Sequence, residues 1–114
     1  DGLMEIVSPG QWTASGKNAF SIEGKEHGAQ VTVLLEHMPE GAGPKLHTHP
    51  YGETWVVIEG RILFTDGKVT REASNGDVVY VAAGEPHKFT VLSAGRIKMV
   101  CIHQSAEFVT HWLE

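Results

Sequence analysis

Short apolar runs alternate with glycine- and proline-containing segments along the whole chain. The runs are rich in β-branched and aromatic residues, as "VTVLL", "TWVVI", "DVVYV" and "IKMVCI" show, and such residues favour strands. Turn-forming segments lie between them, such as "TDGK" at 65–68 and "SNGD" at 74–77. The pattern predicts strands at 20–22, 31–38, 46–48, 54–59, 61–65, 68–72, 77–81, 87–92 and 97–103. Many short strands separated by turns are typical of a sandwich or barrel, so we predict an all-β fold.

The C-terminal segment has a different period. Ser105 is a suitable helix N-cap, and Phe108, His111 and Trp112 are spaced so that they would share one helix face. We therefore predict a short C-terminal helix over about 105–114 that packs its aromatic side on the barrel or on a partner subunit. The sequence contains no internal repeat or linker, so we expect a single domain over 1–114 with its barrel core at about 20–103.

Composition narrows the classes of function. The chain has 114 residues, 14 acidic and 9 basic side chains and a formal net charge of −5, so it lacks the basic surface that binds nucleic acid. The single cysteine, Cys101, excludes an internal disulfide and a cysteine-built zinc site. No apolar run approaches the roughly 20 residues of a membrane span. We expect a cytoplasmic protein with no nucleic acid or membrane partner.

Three histidines and a glutamate form a candidate metal site. Because side chains alternate along a strand, His47 and His49 project from the same face, and the bend after them can bring Glu53 back towards them. His87, at the start of a later predicted strand, offers a third imidazole. This set suits one divalent transition metal (Fe, Mn, Co, Ni, Cu or Zn) better than Ca or Mg, which prefer oxygen ligands. Four protein ligands around a six-coordinate ion leave two positions for water, substrate or dioxygen.

The spacing of these residues resembles that of the cupin family. The first cupin motif, G-x5-H-x-H-x3-E-x6-G, is matched at every fixed position, by Gly41, His47, His49, Glu53 and Gly60. The second motif, G-x5-P-x-G-x2-H-x3-N, is met by Gly76, Gly84 and His87. It departs at Ala82, where proline is usual, and at Val91, where asparagine is usual. Neither departure removes a ligand.

The resemblance covers about residues 30–103 and implies a fold and an assembly. The implied fold is the jelly-roll barrel of small cupins, of roughly six to eight strands in two antiparallel sheets. One metal ion per chain would lie inside the barrel mouth. The resemblance also implies a homodimer, because such cupins commonly pair.

Several side chains are candidates for a substrate pocket beside the metal. Trp55 and Phe89 have inward parity, Tyr51 lies between the ligands, and Met99 faces inward from the last predicted strand. Core packing is the competing interpretation, and for Phe89 it is the commoner case. His103 shares the face of Met99 and could act as an acid–base group or contact a ligand. Such a histidine more often lies half-solvated at a strand end.

Two other positions are left open or assigned to the core. Glu36 and His37 lie on opposite faces of a predicted strand, so one of them could face inward, and the sequence does not decide which. Cys101 is expected to be a buried small apolar residue, because nothing adjacent in sequence would lower its pKa.

Three classes of function remain, because a fold does not decide an activity. The first is a mononuclear metal-dependent oxidoreductase of the dioxygenase type that acts on a small organic substrate, with Glu53 as a ligand that could also serve as a base. The second is an isomerase, lyase or decarboxylase that uses the metal as a Lewis acid. The third is a non-catalytic module that binds a metal or a small molecule. A metal-free sugar-nucleotide epimerase is disfavoured by the intact ligand set.

Overall fold

A computed structural model describes residues 4–14 and 18–114. In this part the chain forms strands and two short 3-10 turns, at Pro9–Gln11 and Gly24–Glu26. The strands are β1 (Thr13–Ala14), β2 (Ala19–Ile22), β3 (Thr32–Glu36), β4 (His47–Thr48), β5 (Glu53–Glu59), β6 (Arg61–Thr65), β7 (Thr70–Ser74), β8 (Val78–Val81), β9 (Lys88–Val91), β10 (Lys98–His103) and β11 (His111–Trp112). Within the described residues, no helix is long and apolar enough to cross a membrane. The all-β prediction is confirmed.

The predicted strands correspond to β2 through β10, and their ends differ from the observed ones by at most two residues. The clearest shift is at β7, which was predicted at 68–72 and forms at Thr70–Ser74. The Asp66 carboxylate accepts hydrogen bonds from the backbone N–H groups of Lys68 and Val69, at 2.8 and 2.7 Å. These bonds extend the turn by two residues, so the strand begins later.

The strands form antiparallel sheets around a hydrophobic core. One sheet has six strands in the order β1-β2-β3-β10-β5-β8, a second has three in the order β7-β6-β9, and β11 pairs with β4. The buried apolar cluster draws residues from both larger sheets, among them Trp55 and Val57 from one and Phe64 and Phe89 from the other. This arrangement confirms the predicted jelly-roll barrel, with the core between the two layers.

Strand alternation places polar residues at one end of this core. In β5 the buried positions are Glu53, Trp55 and Val57, and β10 buries Cys101 and His103 in the same way. The register of the two strands sets His103 opposite Glu53 and Cys101 opposite Trp55. The inward face therefore changes from apolar to polar towards the end of the barrel where β5 begins.

Gly60 makes the turn from β5 to β6 possible. Its backbone has φ +117°, and a Cβ atom there would lie 2.3 Å from Cγ2 of Ile97, which is fully buried. A larger residue would need both a strained backbone and a displaced core side chain. This packing explains the glycine that ends the first motif.

The predicted C-terminal helix is wrong, because residues 104–107 form bends and the chain then crosses the end of the barrel, where His111–Trp112 is a strand. The backbone N–H of Phe108 donates a hydrogen bond to the Glu23 carboxylate at 2.8 Å. Further along, β11 pairs with β4, and the N–H of Leu113 donates to the carbonyl of Leu46 at 2.9 Å. An isolated ten-residue helix is marginal in water. Pairing with the barrel satisfies the same backbone groups and covers the polar end of the core.

Candidate metal centre

Backbone pairing brings the two halves of the candidate site together. His47 begins β4, and His87 immediately precedes β9. The N–H of each donates to the carbonyl of the other, at 3.1 Å from His47 and 2.9 Å from His87. This two-way bridge fixes the third imidazole beside the H-x-H pair although 40 residues separate His47 from His87. Glu53 enters from the start of β5.

The four predicted ligands converge on one point. One ligand atom from each of His47, His49, Glu53 and His87 lies within 4.8 Å of the others, and all four side chains are buried. The structure thus brings the complete predicted set together. The group could hold one metal ion.

Hydrogen bonds orient each imidazole so that its Nε2 atom faces the centre. The Nδ1–H of His47 donates to the carbonyl of Lys45 at 2.7 Å, and that of His87 donates to the carbonyl of Glu85 at 2.9 Å. The Nδ1–H of His49 donates to the carbonyl of Val109 at 2.7 Å. With the proton on Nδ1, each Nε2 carries a lone pair, which is the state that binds a metal.

The converging atoms are all acceptors. Nε2 of His49 and of His87 lie 3.0 and 3.3 Å from Oε1 of Glu53. Among the described residues these three buried atoms have no hydrogen-bond partner. Lone pairs at such distances repel one another unless a cation lies between them. Three neutral nitrogens and one carboxylate oxygen fit a divalent transition metal, so the residues present match the ion that the sequence predicts.

Ionisation of the site favours cation binding. Burial lowers the pKa of His47 to about 4, although its bond to the Lys45 carbonyl acts in the opposite direction, so this imidazole is neutral at physiological pH. Burial would raise the pKa of Glu53, but its hydrogen bond with His103 outweighs this effect and holds the pKa well below its usual range. The carboxylate is therefore ionised.

His103 and Tyr51 hold Glu53 in place. Nε2 of His103 lies 3.2 Å from Oε2 of Glu53, and Nδ1 of His103 lies 2.5 Å from the Tyr51 hydroxyl. Burial raises the pKa of Tyr51 to about 12, so the hydroxyl keeps its proton. The hydroxyl also lies 3.1 Å from the Val109 carbonyl, and we assign its single proton to the shorter contact with His103. His103 then donates to Glu53, which leaves Oε1 of Glu53 for the metal. His103 thus contacts a predicted ligand.

A small cavity of about 150 Å³ adjoins the ligands. His47, His49 and Glu53 line it, and so do Trp55 and Phe89, two of the predicted pocket residues. The extended tail covers it with Phe108 and Trp112, and the Trp112 ring lies 5.0 Å from the His47 ring. The cavity is therefore enclosed partly by a segment for which the sequence predicted a helix.

The other two predicted pocket residues lie elsewhere. Met99 is fully buried in the hydrophobic core and is not among the described residues that line the cavity. Tyr51 stacks on His49 at 5.1 Å between ring centroids and forms a hydrogen bond with His103. It therefore positions His49 and His103 and does not line the cavity among the described residues. A larger and more open groove of about 560 Å³ lies between β7 and β8 and reaches Trp55 and His87 from the other side.

Sequence reasoning left one contributor to the site undecided and missed another. Glu36 is buried and lines the same cavity as the ligands, while His37 is exposed, which resolves the open question of which one faces inward. Leu34 shares the buried side of β3 with Glu36, but Val33 and Leu35 on the other side are equally apolar, so strand parity alone does not indicate this. Val109 contributes backbone groups alone, since its carbonyl accepts from His49 and its N–H donates to the Tyr51 hydroxyl at 3.1 Å. No side-chain pattern signals such contacts.

Comparison with known proteins places the chain in a family. A family model described as "Cupin domain" matches residues 34–103. An uncharacterized protein of Streptomyces coelicolor is 35% identical over 63 residues, which are 55% of this chain and 60% of that protein. The aligned region therefore spans about three fifths of that relative.

Solved structures show the same fold. A deletion mutant of Bacillus subtilis oxalate decarboxylase OxdC superimposes with a TM-score of 0.76 at 22% identity, over 88% of this chain and 29% of that one. The polyketide cyclase RemF from Streptomyces resistomycificus superimposes with a TM-score of 0.75 at 17% identity, over 98% of this chain and 87% of that one. At these identities the likeness concerns the fold.

Proposed function

The chain belongs to the cupin domain family, and we propose that it is a metal-dependent oxidoreductase of the dioxygenase type that acts on a small organic substrate. The proposal is carried by the convergence of three imidazoles and the Glu53 carboxylate, with a partly enclosed cavity directly beside them. Four protein ligands would close a tetrahedral site, as in structural zinc sites. Around a six-coordinate ion the same four ligands would leave two coordination positions for other molecules.

The chain's own residues prepare this site in three ways. The Nδ1 hydrogen bonds keep the imidazoles neutral and aimed at the centre. His103 holds one oxygen of Glu53 and leaves the other free to bind or to accept a proton. Trp55, Phe89 and Phe108 give the cavity apolar walls. When bound, a divalent transition metal supplies Lewis acidity and, if redox-active, electron transfer to dioxygen.

A lyase, decarboxylase or isomerase is the second candidate function. Two solved structures with this fold are named an oxalate decarboxylase and a polyketide cyclase, and both kinds of reaction can use a metal that holds a substrate oxygen. The ligand set of this chain would serve them equally. The third candidate, a non-catalytic binding module, would use the same site without turnover.

The first test is the metal content of the purified protein. The protein is expressed without a histidine tag in medium that contains the six candidate metals, and elemental mass spectrometry is applied to wild type and to the His47→Ala/His87→Ala double variant. His37→Ala is the matched control, because His37 is an exposed histidine outside the site. We expect close to one ion per chain in wild type and control, and loss in the double variant. Equal metal in all three proteins would contradict the site.

The second test separates the candidate reactions. The metal-loaded protein is screened with small organic acids and enolisable carbonyl compounds while dioxygen uptake and substrate loss are recorded together. Uptake that matches substrate loss supports the oxidoreductase. Substrate loss without uptake supports a lyase or isomerase and overturns the oxygenase assignment. Ligand binding without either change supports the binding module.

The homodimer and the cytoplasmic location also stay proposals. Light scattering after size-exclusion chromatography tests the dimer, with twice the 12.4 kDa chain mass as the expected result. Fractionation of cells that express the native gene tests the location.

A further inference from the structure

Glu36 is a buried carboxyl group that the proposed ligand set does not use. It ends β3, is 6% exposed and lines the same cavity as His47, His49 and Glu53. Its Oε2 atom has no hydrogen-bond partner among the residues that the structure describes. A buried polar atom without a partner destabilises a protein, so its position on a cavity wall calls for an explanation.

The surroundings of Glu36 disfavour the ionised form of its carboxyl group. Burial, and next to it the negative charge of Glu53, raise the pKa of Glu36 to about 7. The Cys101 thiol beside it acts weakly in the opposite direction. Above neutral pH the cavity therefore contains a negative charge at some distance from the ligands. A ligand that offers a hydrogen-bond donor to this charge would offset the cost.

The cavity offers no cationic Lys or Arg side chain to a second anionic group. Among the described residues that line it, none is lysine or arginine. A substrate that binds the metal through one carboxylate or enolate oxygen would place its other end against the rest of the lining. This lining is largely apolar and includes Glu36, Asn18, Thr110 and Trp55, whose buried Nε1–H has no partner among the described residues. A second carboxylate there would meet the Glu36 carboxylate without a cation between them, which is unfavourable at low local dielectric.

We propose that Glu36 contacts the substrate and selects its class: a small organic acid with one anionic group and, at its other end, a hydrogen-bond donor such as a hydroxyl or ammonium group. Dicarboxylates are rejected by the same residue. The cavity of about 150 Å³ has the volume of about five water molecules, so the substrate is small. This inference rests on the proposed metal site, because the metal is what binds the anionic end.

The test compares matched acids on the cobalt(II)-loaded protein. Binding is followed by the visible absorption of the metal at pH 8, where Glu36 is ionised. The pairs are glycolate with oxalate, 3-hydroxypropanoate with malonate, and 4-hydroxybutanoate with succinate. Three chain lengths are used so that the test does not depend on one value for the distance from the metal to Glu36. At one length or more we expect the hydroxy acid to bind wild type at least about tenfold more tightly than the dicarboxylate, a difference of about 1.4 kcal/mol.

Variants connect this preference to Glu36. Glu36→Gln keeps the shape and removes the charge, and we expect it to reduce the preference at least about fivefold, mainly through tighter binding of the dicarboxylate. Glu59→Gln is the control, because Glu59 is an exposed glutamate on β5, and it should leave the preference unchanged. The wild-type comparison needs no variant, so the inference stays testable if Glu36→Gln folds poorly.

The outcomes separate this inference from the proposed function. If cobalt(II) does not bind, both fail. If cobalt(II) binds but dicarboxylates bind as tightly as hydroxy acids at every length, or if no acid binds, the role of Glu36 is overturned and the metal site stands. If Glu36→Gln prefers hydroxy acids over dicarboxylates as strongly as wild type does, the role of Glu36 is likewise overturned.

Discussion

The Nδ1 atom of His49 donates a hydrogen bond of 2.7 Å to the backbone carbonyl of Val109, 60 residues later in the chain. This bond ties a predicted metal ligand to the extended C-terminal tail. It fixes the tautomer and the ring plane of His49, since the proton on Nδ1 leaves Nε2 free to face the centre. Tail and ligand are therefore thermodynamically coupled: order in one favours the binding state of the other.

Deletion of residues 109–114 is predicted to weaken metal binding about ten- to hundredfold, the range typical when a ligand loses its supporting hydrogen bond. The deletion removes the Val109 carbonyl and the β11 strand and leaves the two larger sheets in place. Competition between the protein and a zinc chelator measures the affinity. Circular dichroism checks that the barrel remains folded.

A shorter deletion, of residues 113–114, is the control for this prediction. It keeps the Val109 carbonyl and the Trp112 ring over His47 and removes only the contacts of Leu113 and Glu114 with Leu46 and Lys88. We expect its zinc affinity to stay within about threefold of wild type. Equal weakening by both deletions would show that residues 113–114 account for the whole effect and that the Val109 bond is unimportant.

Tyr51→Phe is predicted to lower zinc affinity about tenfold. The hydroxyl donates to His103, which in turn holds Glu53, so its loss frees the carboxylate to rotate away from the ligand position. Tyr80→Phe is the matched control, because Tyr80 is 77% exposed. Isothermal titration calorimetry measures both. An affinity for Tyr51→Phe equal to that of Tyr80→Phe would contradict the relay from Tyr51 to Glu53.

The sequence was sufficient to predict the candidate ligand set, because the positions of these residues depend mainly on local spacing and strand parity. His47 and His49 share a face by alternation, and only His87 needed the barrel to bring it close. The tail could not be predicted in the same way. Phe108, His111 and Trp112 satisfy helical spacing, but the free backbone groups of the barrel end offer a better partner than a ten-residue helix has by itself.

The inward position of Glu36 illustrates a second limit of sequence reasoning. Alternation places Glu36 and His37 on opposite faces, yet it cannot say which face is inside when both residues are polar. The pairing of β3 with β10 decides, because Leu34 and Glu36 then share the buried side. That pairing joins segments more than 60 residues apart in sequence, and a short-range pattern does not contain it.

Cys101 is predicted to be inert in the folded protein. The thiol is 1% exposed, and burial, with added effects from Glu36 and Glu53, raises its pKa well above the ordinary value. Thiolate is the reactive form, so we expect reaction with a disulfide reagent at pH 8 to be at least about a hundredfold slower in native protein than in guanidinium. A native rate close to the unfolded rate would mean that the core around β10 opens readily.

Glu36 is predicted to make the folded protein less stable as the pH rises. Its pKa is raised from 4.5 to about 7 in the folded protein, first by burial and then by Glu53. Below about pH 4.5 the carboxyl group is protonated in both folded and unfolded states. As the pH rises, the unfolded chain loses this proton first, so the contribution of Glu36 to the free energy of unfolding is lost between about pH 4.5 and pH 7.

His47 has the opposite effect, because its pKa is lowered from 6.5 to about 4 and its protonation favours the unfolded chain as the pH falls. A comparison with Glu36→Gln separates the two, since His47 is present in both proteins. With metal removed by chelation, urea unfolding at pH 5 and pH 8 should show the wild type losing about 2 kcal/mol relative to the variant. Parallel pH profiles for wild type and Glu36→Gln would show that the Glu36 carboxyl group is not desolvated in the folded protein, and its place on the cavity wall would then need another explanation.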